Sequence, residues 1–179
     1  AKIITFLGFV TNAGNIFYAC IFLATHFLLE RKNFSYGKQT IWYGFFVIAF
    51  VTTMTQLALY LPSMVPGDVV HNSLQTIFYF SPRIALASIL AYVFAQNINI
   101  SLYQWLKNKT NDKYLWLQSF TANTCSQLVD SALFFTIAFL DLPGFVLVQA
   151  ILAGWLIKTF VVTLGLPLLY LDRYLLKEN

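Results

Sequence analysis

Charged residues are scarce in this sequence. The 179 residues include 11 lysines and arginines and 7 aspartates and glutamates, so that charged residues make up 10% of the chain. A soluble domain has about 25%, and this composition therefore excludes an ordinary soluble fold. Hydrophobic residues make up 59%, and the mean hydropathy is +0.68. We expect an integral membrane protein whose surroundings are the lipid bilayer.

Residues that commonly carry catalysis are also few. Cys20 and Cys125 have no metal-ligand spacing to a histidine, and the topology derived below puts His26 and His71 on opposite sides of the membrane. The sequence contains no nucleophile–base constellation, no glycine-rich phosphate loop and no paired carboxylates. We therefore predict that the protein is not an enzyme and needs neither a cofactor nor a metal ion.

A net charge of +4 does not indicate nucleic-acid binding here. The lysines and arginines lie in short loops instead of forming one continuous basic patch. We expect no nucleic-acid partner, and we interpret the basic residues as determinants of membrane orientation.

Apolar segments and polar loops alternate along the chain. This pattern predicts an all-α, multi-pass transmembrane helix bundle with five spans, each near the roughly 20 residues that a bilayer requires. The spans cover residues 3–29, 40–61, 82–106, 114–140 and 145–171. A turn-like cluster at residues 11–15 predicts a break in the first span, and residues 62–80 are expected to form a connection. No repeat or linker divides residues 1–179, which we predict to be a single domain.

The basic residues alternate between successive loops. Arg31, Lys32 and Lys38 follow the first span, and residues 62–80 contain no lysine or arginine. Three lysines follow the third span, none lies in residues 141–144, and the tail has two basic residues. The positive-inside rule then predicts an outer N-terminus and an inner C-terminus.

The fourth span carries polar residues on one helical face. Asn123, Gln127 and Asp130 follow one another at steps of four and three residues. A carboxylate at membrane depth is costly and needs a partner. Lys158 in the next span is the expected partner, because the two depths differ by roughly 5 Å at about 1.5 Å per residue. Gln96 lies near the same depth, and such a polar layer fits a transport site.

Each of these residues has a second interpretation. Asp130 and Lys158 either bind a solute or only lock two helices together, and the amides either contact a solute or join helices. Arg83, at the outer start of the third span, either contacts a solute or reaches lipid headgroups. His26 and Glu30, one turn apart, either relay protons or form a solvated helix end.

Several segments together resemble the queuosine precursor transporter (VUT) family. They are Pro82-Arg83-Ile84-Ala85-Leu86-Ala87-Ser88 with Tyr92 and Gln96, the stretch from Asn123 through Asp130 to Phe139, and Lys158, with further matches at residues 21–25, Glu30 and 36–38. The resemblance covers most of the chain. It implies import of 7-deazaguanine precursors of a modified tRNA base. It also implies a substrate site formed by Asp130, Asn123, Gln127, Lys158, Arg83 and Gln96. Glu30 and His26, which lie one helical turn apart, are our candidates for coupling.

The sequence departs from the family pattern at three places. The family usually has aspartate at the positions of His26 and Asn99. In the family a further helix also precedes the position that corresponds to Ala1, so six or more spans would be expected, whereas this sequence has five predicted spans. Two functions follow from the sequence. The chain either imports a purine-like 7-deazaguanine, across a bacterial or less readily a mitochondrial inner membrane, or serves as a non-transporting structural or accessory subunit beside other membrane subunits. A third, more distant function is a solute-binding component that needs an energising partner.

Overall fold

The fold is helical apart from one short hairpin. The computed structural model describes residues 3–6, 9–63, 68–78 and 81–178. In chain order the elements are β1 (Ile3–Phe6), β2 (Phe9–Asn12), α1 (Ala13–Arg31), α2 (Phe34–Tyr60), α3 (Val69–Phe78), α4 (Ser81–Lys109), α5 (Leu115–Ala138) and α6 (Gly144–Glu178). The predicted helical class is confirmed.

The first predicted span begins later than expected. β1 and β2 pair antiparallel, with Ile3 opposite Asn12 and Phe6 opposite Phe9, and α1 begins only at Ala13. The prediction of a helix from residue 3 was therefore wrong over residues 3–6 and 9–12. Isoleucine, valine, threonine and phenylalanine favour strands, and hydropathy alone does not separate an apolar strand from an apolar helix. The predicted break at residues 11–15 coincides with the change from strand to helix.

Residues 62–80 also contain more structure than expected. The helix α3 occupies Val69–Phe78 within this connection. Asp68 caps it, because its Oδ1 accepts hydrogen bonds from the backbone N–H groups of Val70 (2.9 Å) and His71 (3.3 Å). An aspartate before a short apolar run is a helix-start pattern, and that pattern was visible in the sequence.

Among the described residues, three helices are long and apolar enough to span a membrane. They cover Phe34–Tyr60, Pro82–Lys109 and Gly144–Leu175, which correspond to the second, third and fifth predicted spans. The helices α1 and α5 occupy most of the other two predicted segments. That α1 and α5 cross the membrane, and the orientation of the chain, stay predictions.

The helix α5 lies at the centre of the bundle and is polar on its inner side. It packs against α4 and α6, while α1 packs against α6 and α2 against α4. Seven of the ten buried residues of α5 are polar, namely Gln118, Ser119, Asn123, Ser126, Gln127, Asp130 and Ser131. Its large apolar side chains Trp116 and Leu128 are exposed. This arrangement inverts that of a soluble helix, and it places hydrogen-bonding groups where the helices meet.

The outer surface of α2 suits contact with lipid. Its exposed apolar and aromatic side chains include Trp42, Tyr43, Phe46, Phe50 and Leu57. Because hydrocarbon chains are as apolar as these side chains, their exposure costs little in a bilayer. The face of α2 that meets α4 instead has a glycine at the contact.

Replacing Gly44 by alanine should loosen the packing of α2 on α4. A Cβ at Gly44 would lie 2.1 Å from the hydroxyl oxygen of Tyr92 and 2.7 Å from its Cζ, and Tyr92 is only 4% exposed. Overpacking of this kind costs about 1–3 kcal/mol, so the thermal unfolding temperature in detergent should fall. The matched control is Gly144→Ala, since a Cβ there has no atom within 4 Å. An unchanged unfolding temperature for Gly44→Ala would contradict the close α2–α4 contact.

Candidate functional site

A buried ion pair joins α5 to α6. Lys158 Nζ lies 2.6 Å from Asp130 Oδ2, and the two side chains are only 3% and 2% exposed. The short turn between the helices makes them antiparallel neighbours, and the residue spacing brings both side chains to similar depth. Separating the two charges in a medium of low polarity would cost several kcal/mol. The pair therefore fixes the relative position of α5 and α6.

Tyr18 of α1 completes the shell of Asp130. Its hydroxyl donates a hydrogen bond of 2.8 Å to Asp130 Oδ1, the oxygen that Lys158 does not contact. Lys158 Nζ also lies 5.0 Å from the centre of the Tyr18 ring, within the range of a cation–π interaction. Sequence reasoning missed Tyr18, because an aromatic residue in an apolar segment carries no distinctive pattern.

Gln127 lies about one turn before Asp130, and its amide makes no hydrogen bond to the described residues. Its side chain is fully buried, and neither Nε2 nor Oε1 has a hydrogen-bond partner among the described residues. The Ser131 hydroxyl is in the same situation. Buried polar groups are almost always hydrogen-bonded, so the amide of Gln127 beside the paired carboxylate is a candidate contact for a ligand.

His26 lies in a second buried polar cluster, formed with α4 and α5. Its Nδ1 is 2.6 Å from Ser119 Oγ, and its Nε2 is 3.1 Å from Asn99 Oδ1. Because the Asn99 oxygen can only accept, Nε2 carries the hydrogen and Nδ1 accepts from the serine hydroxyl. Asn123 Nδ2 lies 3.1 Å from the same Nδ1. The two residues that depart from the family pattern, His26 and Asn99, are thus hydrogen-bonded to each other.

Gln96 of α4 is hydrogen-bonded to Thr25 of α1. Its Nε2 donates to Thr25 Oγ1 at 3.2 Å, and the threonine hydroxyl lies 3.4 Å from Gln96 Oε1. Both side chains are buried. Gln96 therefore lies next to the His26 cluster, and its contacts link α4 to α1.

Arg83 does not reach these clusters. Its Nε donates to the backbone oxygen of Ile137 at 2.9 Å, and its Nη1 pairs with Asp141 at 2.8 Å. Ile137 is seven residues beyond Asp130 on α5, which amounts to about 10 Å of helix rise. The first turn of α4 lies beside the last turn of α5, so Arg83 binds that helix end. It borders an open cleft of about 590 Å³ lined by Pro82, Ile84, Ala138, Phe139, Asp141 and Leu142.

Glu30 organises a charge network at the other end of the bundle. It accepts hydrogen bonds from Lys107 Nζ (2.6 Å), Tyr103 Oη (2.6 Å) and Arg173 Nε (2.8 Å). Burial raises the pKa of Glu30, but the hydrogen bonds from Lys107, Tyr103 and Arg173 outweigh it and hold that pKa below its ordinary value. Arg173 also pairs with Asp112 in the α4–α5 turn.

We call this set of residues the Glu30 network. It consists of Glu30, Tyr103, Lys107, Asp112 and Arg173. Beside it, Arg31 forms an ion pair with Asp172. His26 contacts the network through Tyr103, whose ring stacks on the imidazole at a centroid distance of 4.3 Å. Within the part of the chain that the structure describes, no three His, Cys, Asp or Glu side chains are grouped to hold a metal ion.

Comparison with known proteins confirms the family resemblance predicted from the sequence. Residues 12–171 match the family described as "Putative vitamin uptake transporter". The chain is 31% identical over 181 aligned positions to the "Probable queuosine precursor transporter" of Bacillus subtilis (strain 168), an alignment that covers 99% of this chain and 78% of that protein. No solved structure matches.

Replacing Lys158 alone should destabilise the protein more than removing both charges of the pair. Lys158→Met leaves Asp130 as an unpaired buried charge, which costs about 3–5 kcal/mol. In the double variant Asp130→Asn with Lys158→Met no charge remains, and most of that stability should return. Thermal unfolding in detergent measures both. Equal losses in the single and double variants would contradict a charge-paired contact.

Glu30→Gln should lower stability at neutral pH and much less in acid. Because folding lowers the pKa of Glu30, its contribution is full above the unfolded pKa and is lost as pH falls through the folded one. The difference in unfolding temperature between wild type and Glu30→Gln should therefore shrink as pH falls from about 7 to about 3. Asp141→Asn, at a carboxylate that is 86% exposed, serves as the control. A difference that does not change with pH would contradict the role of the Glu30 charge.

Proposed function

The chain belongs to the "Putative vitamin uptake transporter" family, and we propose that it carries a 7-deazaguanine precursor of queuosine across a membrane. Membership of this family makes it a multi-pass membrane transporter of a small molecule. The named function of the Bacillus subtilis relative supports the choice of substrate class. The protein then acts by binding and moving a solute, without catalysing a reaction on it.

The observation that carries the proposal is a free amide beside a buried carboxylate. Gln127 has no described partner for either amide atom, and Asp130 follows three residues later on the same face of α5. A guanine edge offers two N–H donors next to a carbonyl acceptor. The carboxylate suits the donors, the Lys158 ammonium suits the carbonyl, and the amide of Gln127 can both donate and accept.

The other polar residues have different roles in this proposal, either in substrate binding or in coupling. Asn123 has an amide oxygen without a described partner and extends the site one turn further along α5. Gln96 supports it from α4. Arg83 meets the substrate at the cleft near the opposite end of α5, before it reaches Asp130. Glu30 and His26 are our candidates for coupling transport to an ion.

We place the protein in the inner membrane of a bacterium, with its N-terminus outside and its C-terminus inside. The bacterial relative supports this location. The basic residues near the Glu30 network support the inner position of that end, because inner loops carry an excess of lysine and arginine. The cleft beside Arg83 would then face outward.

Uptake of labelled 7-deazaguanine by precursor-starved cells tests the proposal. Asp130→Asn should abolish uptake, and Gln127→Met should reduce it about tenfold or more, since substrate groups are left unpaired. Gln127→Met removes no described protein hydrogen bond, so it should leave folding and membrane levels unchanged. Gln104→Met is the matched control, because Gln104 is a half-buried amide that hydrogen-bonds to Asn108.

Two results would count against transport. Uptake that is unaffected by Asp130→Asn would remove the buried pair from the mechanism. A correctly inserted wild-type chain that takes up no labelled substrate would favour an accessory subunit of a larger membrane complex, and co-purification of partner subunits would then be the next measurement.

A further inference from the structure

The Asp130 carboxylate has a different partner on each oxygen. Lys158 Nζ contacts Oδ2 at 2.6 Å, and the Tyr18 hydroxyl donates to Oδ1 at 2.8 Å. A planar ligand edge with two N–H donors binds a carboxylate best with one donor on each oxygen. Each carboxylate oxygen can accept a second hydrogen bond, but two donors on one oxygen compete for it, so the present contacts oppose the binding of such an edge.

The two partners differ in how easily they can leave. Lys158 is an ion-pair partner that is 3% exposed, and moving it would leave a buried charge without compensation. Tyr18 contributes a hydrogen bond from a neutral hydroxyl, and its side chain is only half-buried. The Tyr18 contact is the weaker of the two.

The ring of Tyr18 has contacts that do not depend on its hydroxyl. It packs edge-on against Phe22 at a centroid distance of 5.7 Å, and it lies 5.0 Å from Lys158 Nζ. Removing the hydroxyl alone therefore keeps the ring in place and frees one oxygen of Asp130. The chain thus offers a variant that separates the hydrogen bond from the packing.

We infer that Tyr18 is a specificity-determining residue whose hydroxyl occupies, in the substrate-free protein, the position on Asp130 Oδ1 that the second N–H donor of the substrate takes. This inference rests on the proposed function. A ligand with two donors replaces the hydroxyl and satisfies both carboxylate oxygens. A ligand with one donor gains no hydrogen bond by displacing the Tyr18 hydroxyl. Tyr18 therefore favours a ligand edge that carries an amine beside a ring N–H.

The test is calorimetric binding to the purified full chain in detergent. The ligands are 7-deazaguanine, which has the exocyclic amine, and 7-deazahypoxanthine, which lacks it. Tyr18→Phe should bind 7-deazaguanine about three- to tenfold more tightly than wild type, because no hydroxyl contact has to be broken. Its affinity for 7-deazahypoxanthine should not change. The control Tyr170→Phe removes a hydroxyl that accepts from Trp116 N on the surface of the bundle, and it should bind both ligands as wild type does.

The outcomes separate the two proposals. Wild-type protein that does not bind 7-deazaguanine, or binds it equally well after Asp130→Asn, refutes the proposed function and with it the role of Tyr18. Binding that depends on Asp130 but is unchanged or weakened in Tyr18→Phe overturns the role of Tyr18 alone, since a purely structural tyrosine gives that result. An equal gain for both ligands also overturns it, because the gain would then not depend on the second donor.

Discussion

The cost of placing charge in an apolar medium governs this fold. Asp130 and Lys158 are almost completely buried and lie 2.6 Å apart, and neither charge is tolerable at that depth without the other. Their pairing sets the register of α5 against α6 and brings the polar face of α5 to the centre of the bundle. The large apolar side chains of Trp116 and Leu128 are exposed instead. Tyr18 and His26 of α1 are hydrogen-bonded to Asp130 and Ser119 of this central helix.

The interior polar groups form two levels along α5. Asp130, Lys158, Tyr18 and the free amide of Gln127 make up the first. His26, Asn99, Ser119 and Asn123 make up the second, and it leads through the stacked ring of Tyr103 to the Glu30 network. The first level contains a pair of opposite charges. The second level contains only neutral groups, with His26 in the tautomer that carries its hydrogen on Nε2. The two levels therefore have physically distinct surroundings in the same bundle.

Much of this arrangement could be predicted from the sequence, because membrane proteins obey few and strong rules. The spacing of Asn123, Gln127 and Asp130 identified the inner face of α5, and helix rise alone brought Lys158 to the depth of Asp130. The helices at the second, third and fifth predicted spans followed from apolar length. Arg83 was harder, because its partner depended on which helix end lies beside the start of α4. The N-terminal hairpin was missed because apolar strands and apolar helices share the same hydropathy.

Other features of the site could not be predicted from the sequence. Tyr18 and Ser119 are ordinary residues whose importance comes only from the side chains that packing brings to them. The link between His26 and Asn99 spans 73 positions in the chain, and no local pattern predicts such a pairing. Contacts between distant segments depend on how the helices are arranged, and one sequence without relatives aligned to it carries little information about that arrangement.

The Glu30 network has a mechanical consequence. It ties α1, α4, the α4–α5 turn and α6 together at one end of the bundle, so a tilting movement of α5 would pivot about this end. The helix α5 starts just beyond that turn and has 24 residues, a length of about 36 Å. A tilt of about 10° about such a pivot displaces the far end by about 6 Å. Leverage of this kind would turn a small rotation near Leu115 into a larger displacement beside Ala138, with the ion pair moving only part of that distance.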